Sequence, residues 1–392
     1  MNGDRQECNS RRVRAGLALA ALVLGSAVFL AAQGQPAAHE KPAAAPASSP
    51  TIHQLFEEDQ KDRMAADADW DKVSAHDKEH RRLAHQILAA GTLQTAQDFQ
   101  DAAFIFQHGE TAQDYMLAHI LAMEATFKGS SLGSWIAAAT LDRYLHEIHQ
   151  PQVFGTQYVP VKGNPQLTGQ DPYDKDLISD ALRQEFCVST YAQQQANVEA
   201  MNQNKDIPYG DGCHKAPPAP AAGASPVHAL YEEDQKDREP RVGQIDWNKV
   251  APRDAQRRKQ THQMLEAGAL KTGQDFEDAS TIFQHGDTPQ DYLLAHILAL
   301  AAMEKGDAKA RWIAAATLDR YLQKVQQPQV FGTQYRWDGP SPTAATQQPY
   351  DTDFLSDATR RQFCVSTYAD QQRNLEAMRQ GKDWPSPDHC PK

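Results

Sequence analysis

The chain has 392 residues, of which 40% are hydrophobic and 23% charged, and its formal net charge is −12. This apolar fraction excludes a chain that is disordered throughout, and the length allows two domains of ordinary size. The negative charge repels phosphate backbones, so we expect no nucleic-acid partner.

The N-terminal segment is typical of an export signal. Arg11, Arg12 and Arg14 precede an uncharged apolar run over 15–32. A cleaved signal peptide over 1–34 and an uncleaved inner-membrane anchor over 15–32 both fit this pattern. Because the basic side comes first, the rest of the chain lies outside the cytoplasm in either case. We therefore expect an exported, periplasmic or secreted protein that contacts the membrane only through this segment.

The rest of the chain is an internal duplication. Residues 51–214 recur as 227–392, and more than two thirds of the positions from Gln97 to Tyr158 are identical to those 177 residues later. The Pro/Ala-rich segments 35–50 and 215–226 have the composition of semi-stiff linkers. We predict two tandem homologous domains, each with its own copy of any functional site.

Each repeat is predicted to be an all-α bundle of five to six helices. Capping signals such as Thr95-Ala-Gln-Asp98 begin helices, and glycines such as Gly129 end them. In the first repeat the expected helices cover 51–63, 77–90, 95–107, 111–129, 133–149 and, as one long helix, about 174 or 179 to 204. The helix over 133–149 is apolar nearly all round and should be the buried middle of the bundle. We expect no sheet, although 151–158 should be extended.

Four cysteines form one matched pair per repeat. Cys187 and Cys213 correspond to Cys364 and Cys390, and their separation lacks the spacing of a zinc site. In an exported protein such pairs are typically disulfides. We predict Cys187–Cys213 and Cys364–Cys390, each stabilising its domain by about 3 kcal/mol.

Several apparent motifs do not survive in the second repeat. The Gly-Ser-Ser-Leu-Gly run at 129–133 resembles a nucleophile elbow, and His146 and His149 resemble half of a zinc helix, but both patterns are lost there. His76 and His80 are replaced by arginines, which indicates a solvated face; any metal there would be peculiar to the first repeat. We therefore predict no serine nucleophile, no metal and no cofactor.

Shared carboxylates have structural explanations. Asp98 and Asp114 each follow a threonine by three residues, the position of a helix-capping carboxylate. The acidic run over 57–63 is expected to be a surface helix with ion pairs between residues four apart.

One polar set is identical in the two repeats although neighbouring segments have diverged. Its members are Gln107, His108, His119, Asp142, Arg143 and Gln157, with Gln284, His285, His296, Asp319, Arg320 and Gln334 as their counterparts. Charges buried within apolar helices must be paired, so the set either forms a satisfied core network or converges on a small polar pocket. Both interpretations remain open.

At these residues a resemblance becomes visible. The strings Gln-His-Gly at 107–109, Asp-Tyr-x-Leu-Ala-His at 114–119, Ala-Ala-Ala-Thr-Leu-Asp-Arg-Tyr-Leu at 137–145 and Pro-Gln-Val-Phe-Gly-Thr-Gln-Tyr at 151–158 resemble an uncharacterised bacterial domain-of-unknown-function family. The resemblance covers about 120 residues of each repeat, and it implies no activity. The cysteine pairs and the tandem arrangement are not part of the family pattern.

Two main classes of function stay open. A tandem of helical repeats suits a binding or interaction module of the cell envelope, with an unknown protein or small molecule as its ligand. A hydrolase-like enzyme would use His108 or His119 as base, Asp142 to orient it and Arg143 to hold an anionic group. A purely structural envelope protein is the third alternative.

Overall fold

The computed structural model describes residues 50–65, 67–212, 225–239, 245–337 and 342–382. Within these ranges the regular structure consists of fourteen α-helices, one 3₁₀ turn and two short antiparallel strand pairs. The prediction of a mostly helical protein is confirmed. The expectation of no sheet is wrong, because each repeat contains one strand pair.

Five helices begin the first repeat, close to the predicted positions. They are α1 (Ile52–Met64), α2 (Trp70–Ala89), α3 (Ala96–Gln107), α4 (Ala112–Phe127) and α5 (Gly133–Glu147). The predicted capping of α3 is confirmed, since Thr95 and Asp98 bond to each other's backbone N–H. Helix α2 begins at Trp70 rather than near Asp77, because Asp69 accepts a hydrogen bond from the N–H of Lys72.

The predicted long final helix is wrong. A hairpin of β1 (Val159–Val161) and β2 (Asn164–Gly169) is followed by two short helices, α6 (Asp180–Glu185) and α7 (Tyr191–Asn202). The break falls at Cys187, whose φ of 61° lies in the left-handed region that ends a right-handed helix. Because of this break, the repeat has seven helices instead of five or six.

The second repeat follows the same order of elements. It comprises α8 (Pro226–Arg238), α9 (Trp247–Glu266), α10 (Gly273–Gln284), α11 (Pro289–Glu304), α12 (Ala310–Lys324), β3 (Arg336–Trp337), β4 (Ala345–Thr346), α13 (Asp357–Gln362) and α14 (Tyr368–Arg379). Cys364 repeats the left-handed break with a φ of 61°. The helical break is therefore a shared feature of the repeats.

The core is continuous across the two repeats. Helix α4 packs between α3 and α5 and also against α11, its counterpart in the second repeat. It therefore takes the middle position that the sequence assigned to α5. Buried hydrophobic residues of both repeats form one cluster. That each repeat folds alone as a separate domain stays a prediction.

Several sequence-based predictions lie outside the described residues. They concern the signal or anchor over 1–34, the linker over 35–50, nearly all of the linker over 215–226, and the cysteines Cys213 and Cys390. Among the helices that the structure does describe, none combines the length and apolar character needed to cross a bilayer.

Candidate functional site

Asp142 holds the loop that follows α5. Its carboxylate accepts hydrogen bonds from the backbone N–H groups of Val153, Phe154 and Thr156 at 2.8, 3.0 and 2.9 Å, and from the Thr156 hydroxyl at 2.8 Å. Asp319 makes the equivalent four bonds in the second repeat. Burial raises the pKa of Asp142, while these donors oppose the shift. Every acceptor position is thus occupied by the protein itself.

Gln157 belongs to the same loop. Its side-chain N–H groups are donated to the Ala139 carbonyl at 3.3 Å and to the Thr156 hydroxyl at 2.9 Å. Gln334 repeats both contacts. Gly155, which directly precedes Thr156 in this loop, has a φ of 84°. A Cβ at this position would clash with Gln194 and Tyr173. The loop therefore requires glycine, and its polar residues serve its own conformation.

His119 lies at the contact between the repeats. Its Nδ1 faces the Ala137 carbonyl at 2.9 Å, and its Nε2 lies 3.0 Å from Nε2 of His296. His296 faces the Ala314 carbonyl in the same way, also at 2.9 Å. Both imidazoles have 0% exposure, and burial lowers their pKa values to about 3 and about 4. Identical residues therefore meet across the interface, in a place that solvent does not reach.

His108 lies in a third place, at the end of α3. Its Nδ1 is 3.1 Å from Asp59 of α1, and Asp59 also accepts a hydrogen bond from Arg63 at 2.7 Å. His285 makes the same contact with Asp234. Burial lowers the pKa of His108, although Asp59 acts in the opposite direction. The histidine thus ties α3 to α1 in each repeat.

Arg143 and Gln107 complete the set. The guanidinium of the half-buried Arg143 contacts the Tyr115 side chain, and desolvation lowers the pKa of Arg143. Arg320 has the same relation to Tyr292. Gln107 and its counterpart Gln284 are buried at the C-terminal ends of α3 and α10.

The predicted polar set does not share one pocket. Its hydrogen bonds divide it between the loop held by Asp142, the contact between the repeats at His119, and the link between α1 and α3 at His108. These partners satisfy the Asp142, Gln157 and His108 side chains locally, as a core network requires, whereas Nε of Arg143 and Nε of Arg320 are buried without a hydrogen-bond partner in the described part of the chain. The geometry therefore favours the core-network interpretation over a convergent pocket.

A different cavity lies between the repeats, and we call it the inter-repeat cleft. Its volume is about 360 Å³. The first repeat contributes residues from 175–183 and Tyr191, and the second contributes His262, Leu265, Glu266 and Leu294. None of these residues belongs to the polar set. The sequence holds no signal for the cleft, because its two walls come from distant segments that only the packing of the repeats brings together.

The predicted solvated face at His76 and His80 is partly wrong. The His76 side chain is 57% exposed and its Nδ1 lies 2.7 Å from Asp62. His80, however, is only 5% exposed. His80 follows His76 by one helical turn and faces α1, where its Nε2 lies 3.5 Å from Glu58.

The chain matches no known protein family, no curated protein and no solved structure. The resemblance drawn from its motifs therefore stays a prediction.

Proposed function

We propose that the protein is an exported helical binding protein of the cell envelope whose ligand occupies the inter-repeat cleft. The observation that carries this proposal is the cleft itself. Its volume of about 360 Å³ lies within the range of small-molecule sites, and both repeats line it. Sites between structural units are common because two rigid walls can enclose a ligand.

The chemistry of the cleft indicates the class of ligand. Leu182, Leu265 and Leu294 supply buried apolar surface. The charged groups of the cleft are paired with one another: Lys175 with Asp176 at 2.6 Å, Arg183 with Asp180 at 3.0 Å, and His262 with Glu266 at 3.5 Å. With neutral histidine these groups leave one formal negative charge, that of Glu266, so a small amphiphilic molecule without an anionic group fits best.

Narrowing the cleft should remove binding. We expect His262→Trp to place a bulky ring in the cleft and to abolish the binding of small amphiphilic fragments. The probe is a library of aromatic alcohols and amides, followed by saturation-transfer NMR on the full chain. The matched control is His85→Trp, because His85 is the counterpart of His262 and does not line the cleft. Fragments that bind both variants as they bind the unmodified protein would contradict the proposed site.

The proposed Cys187–Cys213 disulfide has local support. The N–H of Gly212, the residue before Cys213, is donated to the Cys187 carbonyl at 3.0 Å. Asp211 also accepts hydrogen bonds from Ser189 and from the Trp135 indole, which holds the chain beside α5.

Disulfide pairing and export can be tested together. We expect non-reducing peptide mapping of protein from the periplasm to find Cys187 linked to Cys213 and Cys364 linked to Cys390. Cys187→Ser should expose Cys213 to alkylation and lower the stability of the protein by about 3 kcal/mol. Free thiols at all four positions in periplasmic protein would refute the pairing.

The hydrolase alternative now rests on His108. His119 is fully buried with both ring nitrogens engaged, so it has no position from which to act on a substrate. The His108 side chain is 15% exposed and is oriented by Asp59, as a general base would be. If no small molecule binds in the cleft, the result would favour the third alternative, a structural envelope protein without a small-molecule site.

A further inference from the structure

Helices α1 and α2 enclose a cluster of charged residues in each repeat. In the first repeat the cluster contains Asp59, Asp62, Arg63, His76, Asp77 and His80, and Nε2 of His80 also lies 3.5 Å from Glu58. Arg63 donates to Asp59 and to Asp77, at 2.7 Å in each case. In the second repeat Arg238 makes the same two bonds to Asp234 and Asp254, at 2.8 and 2.7 Å. The two clusters can therefore be compared residue by residue.

The repeats differ at the position of His80. Its counterpart, Arg257, is 4% exposed and donates to Oδ1 of Asp254 at 2.9 Å. Arg257 also donates to Asp237, as does Arg253, the counterpart of His76. The second cluster thus holds two cations where the first holds two imidazoles.

This exchange changes the charge of the cluster. Asp234, Asp237 and Asp254 are balanced by three arginines, so the second cluster has no formal net charge. Among the partners of the three aspartates in the first cluster, Arg63 is the one arginine, and the others are the imidazoles of His76 and His108. Two negative charges therefore remain when these histidines are neutral. Buried carboxylates need compensating cations, and a divalent ion supplies the missing charge.

Unpartnered atoms mark the place where a cation would bind. Among the residues that the structure describes, Asp77 Oδ1 and His80 Nδ1 are buried without a hydrogen-bond partner. Asp77 Oδ1 is the counterpart of the oxygen that accepts from Arg257 in the second repeat. An acceptor that receives a cation in one repeat is therefore left unsatisfied in the other.

We propose that Asp59, Asp77 and His80 bind one zinc-type divalent cation, in the first repeat only. One ligand atom from each of the three residues lies within 4.8 Å of the others. Zinc binds imidazole nitrogen and carboxylate oxygen at about 2.0–2.2 Å. A modest inward movement of the three side chains would bring their ligand atoms to this distance from one ion. The fourth position of the tetrahedral ion would then be open to water. The imidazole favours zinc and related transition ions over magnesium or calcium.

Zinc titration of the full chain, stripped of metal with EDTA, tests this proposal by calorimetry. We expect one equivalent bound by the unmodified protein. His80→Arg should weaken this binding by more than about 100-fold, beyond the loss typical of removing an outer partner of a metal ligand. Because arginine is the native residue at this position of the second repeat, the variant should fold. Zinc should also raise the Tm of the unmodified protein but not that of His80→Arg.

Two further variants provide controls. His146→Gln with His149→Gln removes exposed histidines by installing the residues of the second repeat, and it should retain the bound equivalent. Arg253→His with Arg257→His should add a second equivalent. The proposal would be overturned if the unmodified protein bound no stoichiometric zinc. It would also be overturned if His80→Arg still bound one equivalent of zinc. Loss of the equivalent in the His146/His149 variant would also overturn it.

Discussion

Lowering the pH from 7 to 5 is expected to reduce the free energy of unfolding by about 4 kcal/mol through the buried pair His119 and His296. In the unfolded chain both imidazoles titrate near pH 6.5, whereas burial lowers their folded pKa values to about 3 and about 4. Between these values only the unfolded chain binds the protons. The stability is therefore fully present above pH 6.5 and is lost as the pH falls towards 4.

The geometry of the pair explains why protonation is unfavourable. Two neutral imidazoles carry two N–H groups, but they make three contacts: one to the Ala137 carbonyl, one to the Ala314 carbonyl and one between their Nε2 atoms. One added proton would satisfy the third contact but place a charge in the apolar core. A second proton would set two cations about 3 Å apart.

Urea denaturation at several pH values provides the measurement. His119→Leu with His296→Leu removes both partners together, so the double variant should fold and show a much flatter pH dependence between pH 7 and 5. Each single variant should be less stable than the double variant at pH 7, because the remaining imidazole keeps an unpaired polar nitrogen buried against leucine. The exposed pair His146 and His149, changed to glutamine, should leave the slope unaltered. An unchanged slope in the double leucine variant would refute the assignment.

Asp142→Ala is expected to destabilise the protein by about 4 kcal/mol, with Asp319→Ala having a similar effect. The substitution removes the acceptor for three backbone N–H groups and one hydroxyl. Leaving a buried donor unsatisfied costs about 1–3 kcal/mol, and water entering the opened loop recovers part of that cost. Thermal or urea unfolding gives the value.

Thr140→Val is the matched control for this substitution. Thr140 is as buried as Asp142 and lies on the same helix, but its hydroxyl bonds mainly to the Ile136 carbonyl of its own helix, at 2.6 Å. Its loss should cost less than about 1 kcal/mol, because the carbonyl keeps its helical partner. A comparable loss from both variants would show that Asp142 has no special role in holding the loop.

Local signals predicted most of the helices correctly. Threonine followed three residues later by aspartate fixes the starts of α3 and α4, because the cap is formed entirely by neighbouring residues. The acidic run was predicted less well. Arg63 does bond to Asp59 four residues before it, but Asp59 is completely buried rather than on the surface. Its burial depends on α2 and α3, which are distant in sequence.

Features set by tertiary contacts were not predictable from the sequence. A helical pattern continues through Cys187, and the break there is fixed by a left-handed backbone and by the pairing of Ser189 with Asp211. Likewise, His119 was correctly singled out as a buried polar residue, but its partner proved to be its own counterpart. Comparing the two repeats identifies residues that are identical in both, but it does not show which of these residues contact one another in the fold.

The contact of His119 with His296 has a consequence for the history of the chain. Equivalent surfaces meet at this contact, as they do in a symmetric homodimer, so a single-repeat ancestor could have paired with a second copy of itself in the same way. In such a dimer every substitution occurs twice. Fusion of the two copies removes that constraint, because each half then mutates independently. An ion-binding histidine could thus persist in one half while arginine replaced it in the other.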